Sequence, residues 1–352
     1  MDRTEAGWSR PGEPTPRWRS LLDRALLGGR TEASADVDRY GYAAPAPGRD
    51  DDSYGPPADH RDGWGDGRHA TPQPIEWQPV RTADPLDRLA AVLRADLGGP
   101  RVLAFANPKG GVHKTTATIL AAATIGSVRG RGVVAWDDNE LRGTLGLRAG
   151  SARHARTIRH LIADLAEVEI SGGLALRDRI DDYLRHASDG SYDVLAGEEN
   201  PRFAQRLDPY TVRRVVELLC RTHDVVCVDT GNNVESANWQ TVLQMADRLV
   251  VTTVPREDAA FTADWMLDLL VEAGMGRLVA DAMTLLSCAS PGPSPLIDDL
   301  AAHFRSRTRE VVVVPYDPIL ETGSSIEYDM LAPATRRAWL NATATMLEPF
   351  AR

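Results

Sequence analysis

Lysine is almost absent from this sequence. Of the 40 lysine and arginine residues among its 352 residues, only two are lysine. They are Lys109 and Lys114, which lie close together in a loop that also holds two consecutive glycines. A lysine offers a compact ammonium group on a flexible stem, and the planar guanidinium of arginine does not replace it. The two lysines therefore mark this loop as the first candidate for a functional site.

Cysteines and long apolar runs are also scarce. The three cysteines, Cys220, Cys227 and Cys288, are too few and too scattered for a disulfide framework or a cysteine-ligated metal site. No apolar run approaches the roughly 20 residues that a membrane-spanning helix requires. The eight histidines show no metal-ligand spacing. We therefore expect a soluble, cytoplasmic protein without a cysteine or histidine metal centre.

The chain has no excess of positive charge. Its net charge of −10 disfavours a protein that coats nucleic acid through its overall charge. A short basic cluster, formed by Arg305, Arg307 and Arg309, is most simply a solvated surface, although in a dimer it could meet DNA phosphates. DNA binding stays open but has no support from the net charge.

The composition divides the chain into two parts. Residues 1–84 are rich in Pro, Gly, Asp and Arg and show neither helical nor strand periodicity. Such a segment cannot bury enough apolar surface to offset the entropy lost on ordering. We predict a disordered arm over residues 1–84 and one folded domain over residues 85–352. The domain opens with a leucine-rich helix that ends at Gly98.

Short apolar runs alternate with helical patterns along the rest of the chain. Seven runs predict strands, at residues 102–106, 132–136, 192–196, 225–228, 249–253, 283–286 and 311–314. Helical patterns between them include residues 116–125, 157–168, 209–220 and 261–273. Near-continuous apolar strands separated by helices predict an α/β fold with a doubly wound, mainly parallel sheet and helices on both faces. The last segment, from Trp339 onward, predicts a core-packed helix, which we favour over a membrane anchor.

The first predicted strand runs directly into the segment NPKGGVHKTT, residues Asn107 to Thr116, and a helix follows. This is the structural context of a phosphate-binding loop. The glycines let backbone N–H groups surround an anion, and the helix N-terminus adds a partial positive charge. Lys114 would reach the β- and γ-phosphates, and the Thr115 hydroxyl would bind Mg²⁺. The predicted nucleotide-binding residues of the loop are Gly110, Gly111, Val112, His113, Lys114, Thr115 and Thr116.

The loop resembles the deviant Walker A motif, Lys-Gly-Gly-x-x-Lys-Ser/Thr, of the ParA/MinD family of P-loop ATPases. The resemblance covers about residues 101–352 and implies an ATPase that uses Mg²⁺ and forms a nucleotide-dependent homodimer. In that family the early lysine, here Lys109, reaches the phosphates of the other subunit, so Lys109 and Lys114 are both predicted to be catalytic. The family usually carries glycine where this chain has His113. A side chain there has to point away from the phosphates.

Two acidic segments also match the family. Residues 134–140, VAWDDNE, resemble its Asp-x-Asp segment, in which Asp137 matches the first acid and Asn139 stands at the second. Asp137 is predicted to act in catalysis and to bind the metal, and Asn139 to act in catalysis. Asp138 is the alternative for the second acid. Residues 224–229, DVVCVD, resemble a Walker B strand, so Asp229 is predicted to bind Mg²⁺. The following segment, from Thr230, resembles a switch II loop.

The sequence defines the base-binding region less clearly than the rest of the predicted site. Pro315, Tyr316 and Asp317 follow the last predicted strand and resemble the loop that packs against the nucleotide base. In the preceding strand the family often shows Asn-Arg for the base, whereas this chain has Ser287 and Cys288.

The resemblance implies a slowly hydrolysing ATP switch whose state is read by a protein partner that the sequence does not identify. Our leading hypothesis is a role in positioning or partitioning a cellular cargo. The alternative is an accessory ATPase of a type VII secretion or conjugation apparatus, since relatives associated with type VII secretion also join a Pro-rich arm to this ATPase domain. A metabolic kinase or synthetase on the same fold would need a second pocket with paired acids, for which we find no candidate.

Overall fold

The computed structural model describes residues 84–139, 143–149, 156–198 and 207–352. The predicted arm lies outside these ranges except for Asp84. Helices are α1 Pro85–Arg94, α2 Lys114–Arg129, α3 Leu145–Arg148, α4 Ile158–Glu169, α5 Gly173–Asp181, α6 Pro209–Cys220, α7 Ala237–Met245, α8 Glu257–Glu272, α9 Gly276–Ala280, α10 Leu296–Arg305 and α11 Pro333–Leu347. Short 3₁₀ helices lie at Pro318–Leu320, Tyr328–Met330 and Glu348–Phe350.

The strands form one sheet. They are β1 Arg101–Ala106, β2 Val133–Asp138, β3 Arg185–His186, β4 Asp193–Leu195, β5 Val225–Thr230, β6 Arg248–Thr253, β7 Met283–Ser287 and β8 Glu310–Val314. Their order is β3-β4-β2-β5-β1-β6-β7-β8. Every pairing is parallel except that of β3 with β4. The predicted doubly wound, mainly parallel sheet is confirmed, and all seven predicted strands are present. The short β3 was not predicted, because two residues leave no periodic signal.

Two apolar cores lie on opposite faces of the sheet. Helices α4 to α10 cover one face, and helices α1, α2, α3 and α11 cover the other. Helix α2 is buried along most of its length, because its residues from Ala117 to Gly126 are small, apolar or threonine. This burial fixes the helix that follows the glycine-rich loop and thus fixes the loop.

The last helix, α11, packs into the core as predicted. Trp339, Met346 and Leu347 are buried, and the helix contacts α1 and α2. Across the described ranges no helix is both long and apolar enough to cross a membrane.

The basic cluster after α10 is largely paired with acids. Arg307 contacts Asp264 at 3.3 Å and Asp268 at 2.5 Å. Arg309 lies 3.6 Å from Asp281. Two of the three cluster arginines are therefore occupied by ion pairs within the chain.

Strand order brings the candidate acids together. β5 lies between β1 and β2 in the sheet, and the register pairs Phe105 with Asp229 and Asp229 with Asp137. Because these strands are parallel, their carboxyl ends meet at one edge, where open α/β sheets bind ligands.

Candidate nucleotide-binding site

Asn107 anchors the start of the glycine-rich loop. Its side chain is fully buried and donates to the Thr252 carbonyl at 2.8 Å and to the Ala259 carbonyl at 3.3 Å. Its Oδ1 accepts the backbone N–H of Lys109 at 2.9 Å and the Thr262 hydroxyl at 3.1 Å. One amide therefore ties the loop to the end of β6 and to the first turns of α8.

The loop turns through two left-handed residues before α2 begins at Lys114. Gly111 has φ of 74° and His113 has φ of 65°. A Cβ built at Gly111 meets no atom within 4 Å, so the space over the loop is open. His113 is the only described non-glycine residue with positive φ. His113 therefore occupies a position where the backbone is left-handed, which is why glycine suits the family at this position. Among non-glycine residues, histidine adopts this conformation more readily than most.

Lys114 is buried at the centre of the site. Its residue is only 9% exposed. Its ammonium group donates to the Lys109 carbonyl at 3.1 Å and to Oδ1 of Asn232, in the loop after β5. Burial lowers the pKa of Lys114, while the nearby Asp229 acts in the opposite direction. The ammonium group thus lies in a poorly solvated place, where an anion would hold it charged.

Thr115 and Asp229 are in direct contact. The Thr115 hydroxyl donates to Asp229 Oδ2 at 2.6 Å. Asp229 is 4% exposed, and its Oδ1 is buried with no hydrogen-bond partner among the described residues. Burial raises the pKa of Asp229, and the charge of Asp137 raises it further. A buried carboxylate oxygen without a donor is the kind of group that a cation and its waters satisfy.

Asp137 lies beside Asp229 but is held by backbone groups. Its Oδ1 accepts the N–H of Asn139 at 3.1 Å, and its Oδ2 accepts the N–H of Leu145 at 2.9 Å. Gly143 permits this arrangement, because a Cβ there would lie 2.8 Å from Asp137 Oδ2. The side chain therefore shapes the turn that leads into α3, and its metal-binding and catalytic roles stay predictions.

Strand alternation separates the two candidates for the second acid. Ala135 belongs to the core that contains α2, whereas Trp136 belongs to the opposite core. Because side chains alternate along a strand, Asp137 shares the α2 face and Asp138 is directed to the other face. Asn139 directly follows the strand, with its N–H on the Asp137 carboxylate. The strand thus separates the two candidates by face, and the assignment of the second position to Asn139 or Asp138 stays a prediction.

Lys109 is on the outer side of the loop. Its ammonium group lies 3.1 Å from Asp258 Oδ2, and the two side chains are 39% and 44% exposed. Asp258 also pairs with Arg256 at 2.5 Å. Exposed ion pairs of this kind contribute only about 0–1 kcal/mol. The contact therefore leaves Lys109 available for a stronger anionic partner.

His113 connects the loop with the predicted base-binding region. Its Nδ1 is hydrogen bonded to the Ser287 hydroxyl at 2.9 Å, so the imidazole is directed toward the end of β7. Burial, and then the charge of Arg148, lower the pKa of His113. A neutral imidazole is therefore favoured beside this loop.

The predicted base loop is held in place by its own residues. Burial raises the pKa of the Cys288 thiol, and the backbone of Tyr316 acts in the opposite direction. The buried Asp317 carboxylate accepts the N–H groups of Ile319 at 3.2 Å and Ala332 at 2.9 Å. Asp317 thus shapes the loop, while Pro315 is exposed and Tyr316 is half-buried. The latter two are the residues with surface to offer a base.

Two residues of the site were not singled out by the sequence. Arg148, the last residue of α3, donates from Nη1 to the Thr116 hydroxyl at 3.0 Å. Asn232 lay within the predicted switch II segment, but its contact with Lys114 was not foreseen. Neither residue belongs to a periodic pattern or a motif position that assigns it a role.

The arrangement fits a nucleotide phosphate chain with Mg²⁺. The structure brings Lys114, Thr115 and Asp229 into one cluster at the N-terminus of α2, under the open space at Gly111. Mg²⁺ sites of this type use a hydroxyl and one or two carboxylates and take the remaining ligands from phosphates and water. Thr115 and Asp229 supply that donor set.

No family model matches the chain. Two curated relatives, the ESX-1 secretion-associated protein EspI from two strains of Mycobacterium tuberculosis, are each 28% identical to it over 270 residues. The match covers 75% of this chain but 39% of each relative, so the chain spans well under half of their length.

Solved structures share the fold. A ParA family ATPase from Chlorobium tepidum matches with a TM-score of 0.58 and 17% identity, over 70% of this chain and 98% of that one. The cell division ATPase MinD from Pyrococcus furiosus matches with a TM-score of 0.56 and 19% identity, over 71% and 99%. MinD from Pyrococcus horikoshii, complexed with Mg-ADP, matches with a TM-score of 0.54 and 18% identity, over 70% and 94%. The chain has the ParA/MinD-type P-loop fold.

Proposed function

We propose that this chain binds ATP with Mg²⁺ and hydrolyses it slowly, as a nucleotide-switched ATPase. The observation that supports this best is the contact of Thr115 with Asp229, whose second carboxylate oxygen is buried and has no hydrogen-bond partner in the described part of the chain. Among the described residues, the buried ammonium of Lys114 donates to a backbone carbonyl and to a side-chain amide. The Mg-ADP complex of a protein with this fold supports the assignment.

The residues have distinct roles in this proposal. Lys114 exchanges its carbonyl and amide partners for β- and γ-phosphate oxygens, and the N–H groups from Gly110 onward surround the phosphates. Thr115 and Asp229 hold Mg²⁺, which when bound neutralises charge on the phosphates. Asn139 orients the attacking water but cannot accept its proton, because an amide has no basic oxygen of the required strength. Hydrolysis is therefore slow.

Dimerisation is the proposed output of nucleotide binding. Lys109 is exposed and held by a weak surface ion pair, so the phosphates of a second subunit can replace Asp258 as its partner. The same lysine then senses whether a γ-phosphate is present in the partner site. A protein partner would then bind the dimer in preference to the monomer, because a switch has an effect only if its two states bind a partner differently.

The metal role of Thr115 is tested by equilibrium binding of ATP with and without Mg²⁺. Added Mg²⁺ should tighten ATP binding to the unmodified protein but not to Thr115→Val, which keeps the shape of threonine and lacks its hydroxyl. Thr124→Val is the matched control, because the Thr124 hydroxyl donates only to the Leu120 carbonyl within α2. An equal Mg²⁺ effect in Thr115→Val and the control would contradict the assignment.

Two cellular roles follow from this activity. The similarity to EspI, a secretion-associated protein, favours an accessory ATPase of a secretion apparatus. The chain also shares its fold with a cell division ATPase and with a ParA family ATPase, which keeps positioning or partitioning of a cargo as the second proposed role. Both roles belong in the cytoplasm, where ATP is supplied. Imaging of the tagged protein in its native cells separates them: co-localisation with a secretion complex supports the first, and nucleoid association or polar oscillation supports the second.

A further inference from the structure

Arg148 is fixed at the candidate site by its backbone. It is the last residue of α3, whose first N–H is bound by the Asp137 carboxylate at 2.9 Å. The Arg148 carbonyl accepts the N–H of Ile326 at 2.9 Å. The short helix also packs closely against Ala196, because a Cβ added at Gly146 would lie 2.8 Å from the Ala196 Cβ. These contacts hold the arginine from both sides.

The side chain of Arg148 reaches the nucleotide loop. Its Nη1 lies 3.0 Å from the hydroxyl of Thr116, the residue directly after the proposed Mg²⁺-binding threonine. A Cβ at Gly323 would lie 3.7 Å from its Nη2, so the loop after β8 borders the guanidinium on another side. Burial and the charge of Asp137 raise the pKa of Asp229, and the guanidinium charge of Arg148 opposes that rise. The cation is thus inside the electrostatic environment of the site.

Arg148 also differs from other half-buried arginines of the chain. Arg101 pairs with Asp247 at 3.1 Å, Arg129 with Asp224 at 3.3 Å and Arg214 with Glu169 at 2.5 Å. Within the described part of the chain Arg148 makes no such ion pair: its hydrogen bond goes to the neutral hydroxyl of Thr116. Asp229 acts on it through its charge alone, and burial still lowers the pKa of Arg148. Partial burial of a cation is costly unless an anion compensates it.

We propose that Arg148 is a phosphate-binding residue of the nucleotide site, which acts within its own subunit on the α-phosphate side. This inference rests on the proposed ATP binding. The planar guanidinium binds two phosphate oxygens at once, which neither lysine of the loop does. The α-phosphate side follows from the order of the residues at the start of α2. In the proposed site Lys114 reaches the β- and γ-phosphates and Thr115 binds Mg²⁺. Thr116, which contacts Arg148, lies one residue farther along the helix and away from the γ-phosphate.

The test compares the affinities of ATP and ADP for the unmodified protein, Arg148→Ala, Arg148→Gln and Arg148→Lys, by titration calorimetry in excess Mg²⁺. Arg148→Ala and Arg148→Gln should each weaken both nucleotides by about tenfold to a hundredfold, since a charge-assisted hydrogen-bonded contact is lost. The losses for ATP and ADP should be equal within about threefold, because both contain the α-phosphate. Arg148→Lys should lie between these variants and the unmodified protein. Arg214→Ala, which removes a half-buried arginine paired with Glu169, is the matched control and should bind normally.

Three results would overturn the inference. Unchanged affinity in Arg148→Ala would show that the arginine only braces Thr116. Full rescue by Arg148→Gln, which can still donate to the Thr116 hydroxyl, would show the same and remains informative if Arg148→Ala does not fold. A loss confined to ATP would place the guanidinium at the γ-phosphate. Failure of the unmodified protein to bind either nucleotide would instead contradict the proposed function.

Discussion

Replacing Asp229 by asparagine should stabilise the nucleotide-free protein while removing its Mg²⁺-dependent nucleotide binding. Burial and the neighbouring Asp137 raise the pKa of Asp229 from its ordinary 3.8 to about 7. A change of this size corresponds to about 4 kcal/mol of unfavourable free energy when the carboxylate is ionised. Part of this is offset, because the same charge favours the buried ammonium of Lys114. We expect a net stabilisation of about 1–2 kcal/mol in the variant.

The effect of Asp229→Asn has a defined pH dependence. An acid whose folded pKa is raised contributes stability that is present at low pH and is lost as the pH rises through that folded pKa, here about 7. At pH 5 the folded unmodified protein holds a neutral carboxylic acid, so the variant should gain least. At pH 8 the carboxylate is ionised, and the variant should melt several degrees higher, since about 2–4 °C corresponds to 1 kcal/mol in a domain of this size.

Thermal melting at pH 5, 6.5 and 8 without nucleotide, followed by titration with Mg-ATP, measures both halves of this prediction. Asp264→Asn is the matched control, because Asp264 is equally buried but contacts His303 at 3.0 Å and Arg307 at 3.3 Å. Removing that charge should destabilise the protein. An Asp229→Asn variant that melts lower than the unmodified protein at pH 8, or that still binds ATP more tightly with Mg²⁺, would refute the assigned role.

Other variants test the remaining roles. Lys109→Ala should bind ATP yet sediment as a monomer with a slowly hydrolysed ATP analogue, whereas Asp258→Asn should still dimerise; identical sedimentation of Lys109→Ala and the unmodified protein would refute the role in trans. Asn139→Asp should raise the steady-state ATPase rate, by up to about 10²–10⁴-fold, because a carboxylate can accept the proton of the attacking water. A fall in Asp138→Asn without that rise would move the catalytic acid to Asp138. Deleting residues 1–84 should leave ATP affinity unchanged, and a loss beyond about tenfold, or 1.4 kcal/mol, would show that the arm contributes to the site.

The sheet and the loop were predictable because their signals are local. The run from Val102 to Ala106 is apolar throughout, and the glycines and lysines follow it directly, so composition and order define strand, loop and helix start. The place of Asp229 near the end of an apolar strand was predictable for the same reason, whereas its Mg²⁺ role stays a prediction. The antiparallel β3 and the one-turn α3 are too short for a period to be detected.

The contacts that complete the site could not be predicted, because they join distant parts of the chain. Arg148 meets Thr116 across 32 positions, and Asn107 meets the Thr252 carbonyl across 145. These residues become neighbours only through the order of the strands and the packing of α3. The left-handed backbone at His113 could not be predicted either, because the φ angle of a single loop residue leaves no periodic pattern in the sequence. The sequence predicted that this side chain points away from the phosphates, and the structure places its imidazole against Ser287.

Titration of Mg-ATP into the unmodified protein and into Lys114→Met most directly tests whether this loop is a nucleotide site. Methionine keeps the length of the lysine side chain and removes its charge and donors, so the buried position stays filled. The unmodified protein should bind Mg-ATP, and Lys114→Met should bind it at least about a hundredfold more weakly, since charge-assisted hydrogen bonds to two phosphates are lost. Equal binding by both proteins, or no binding by the unmodified protein, would contradict a phosphate-binding role for the loop.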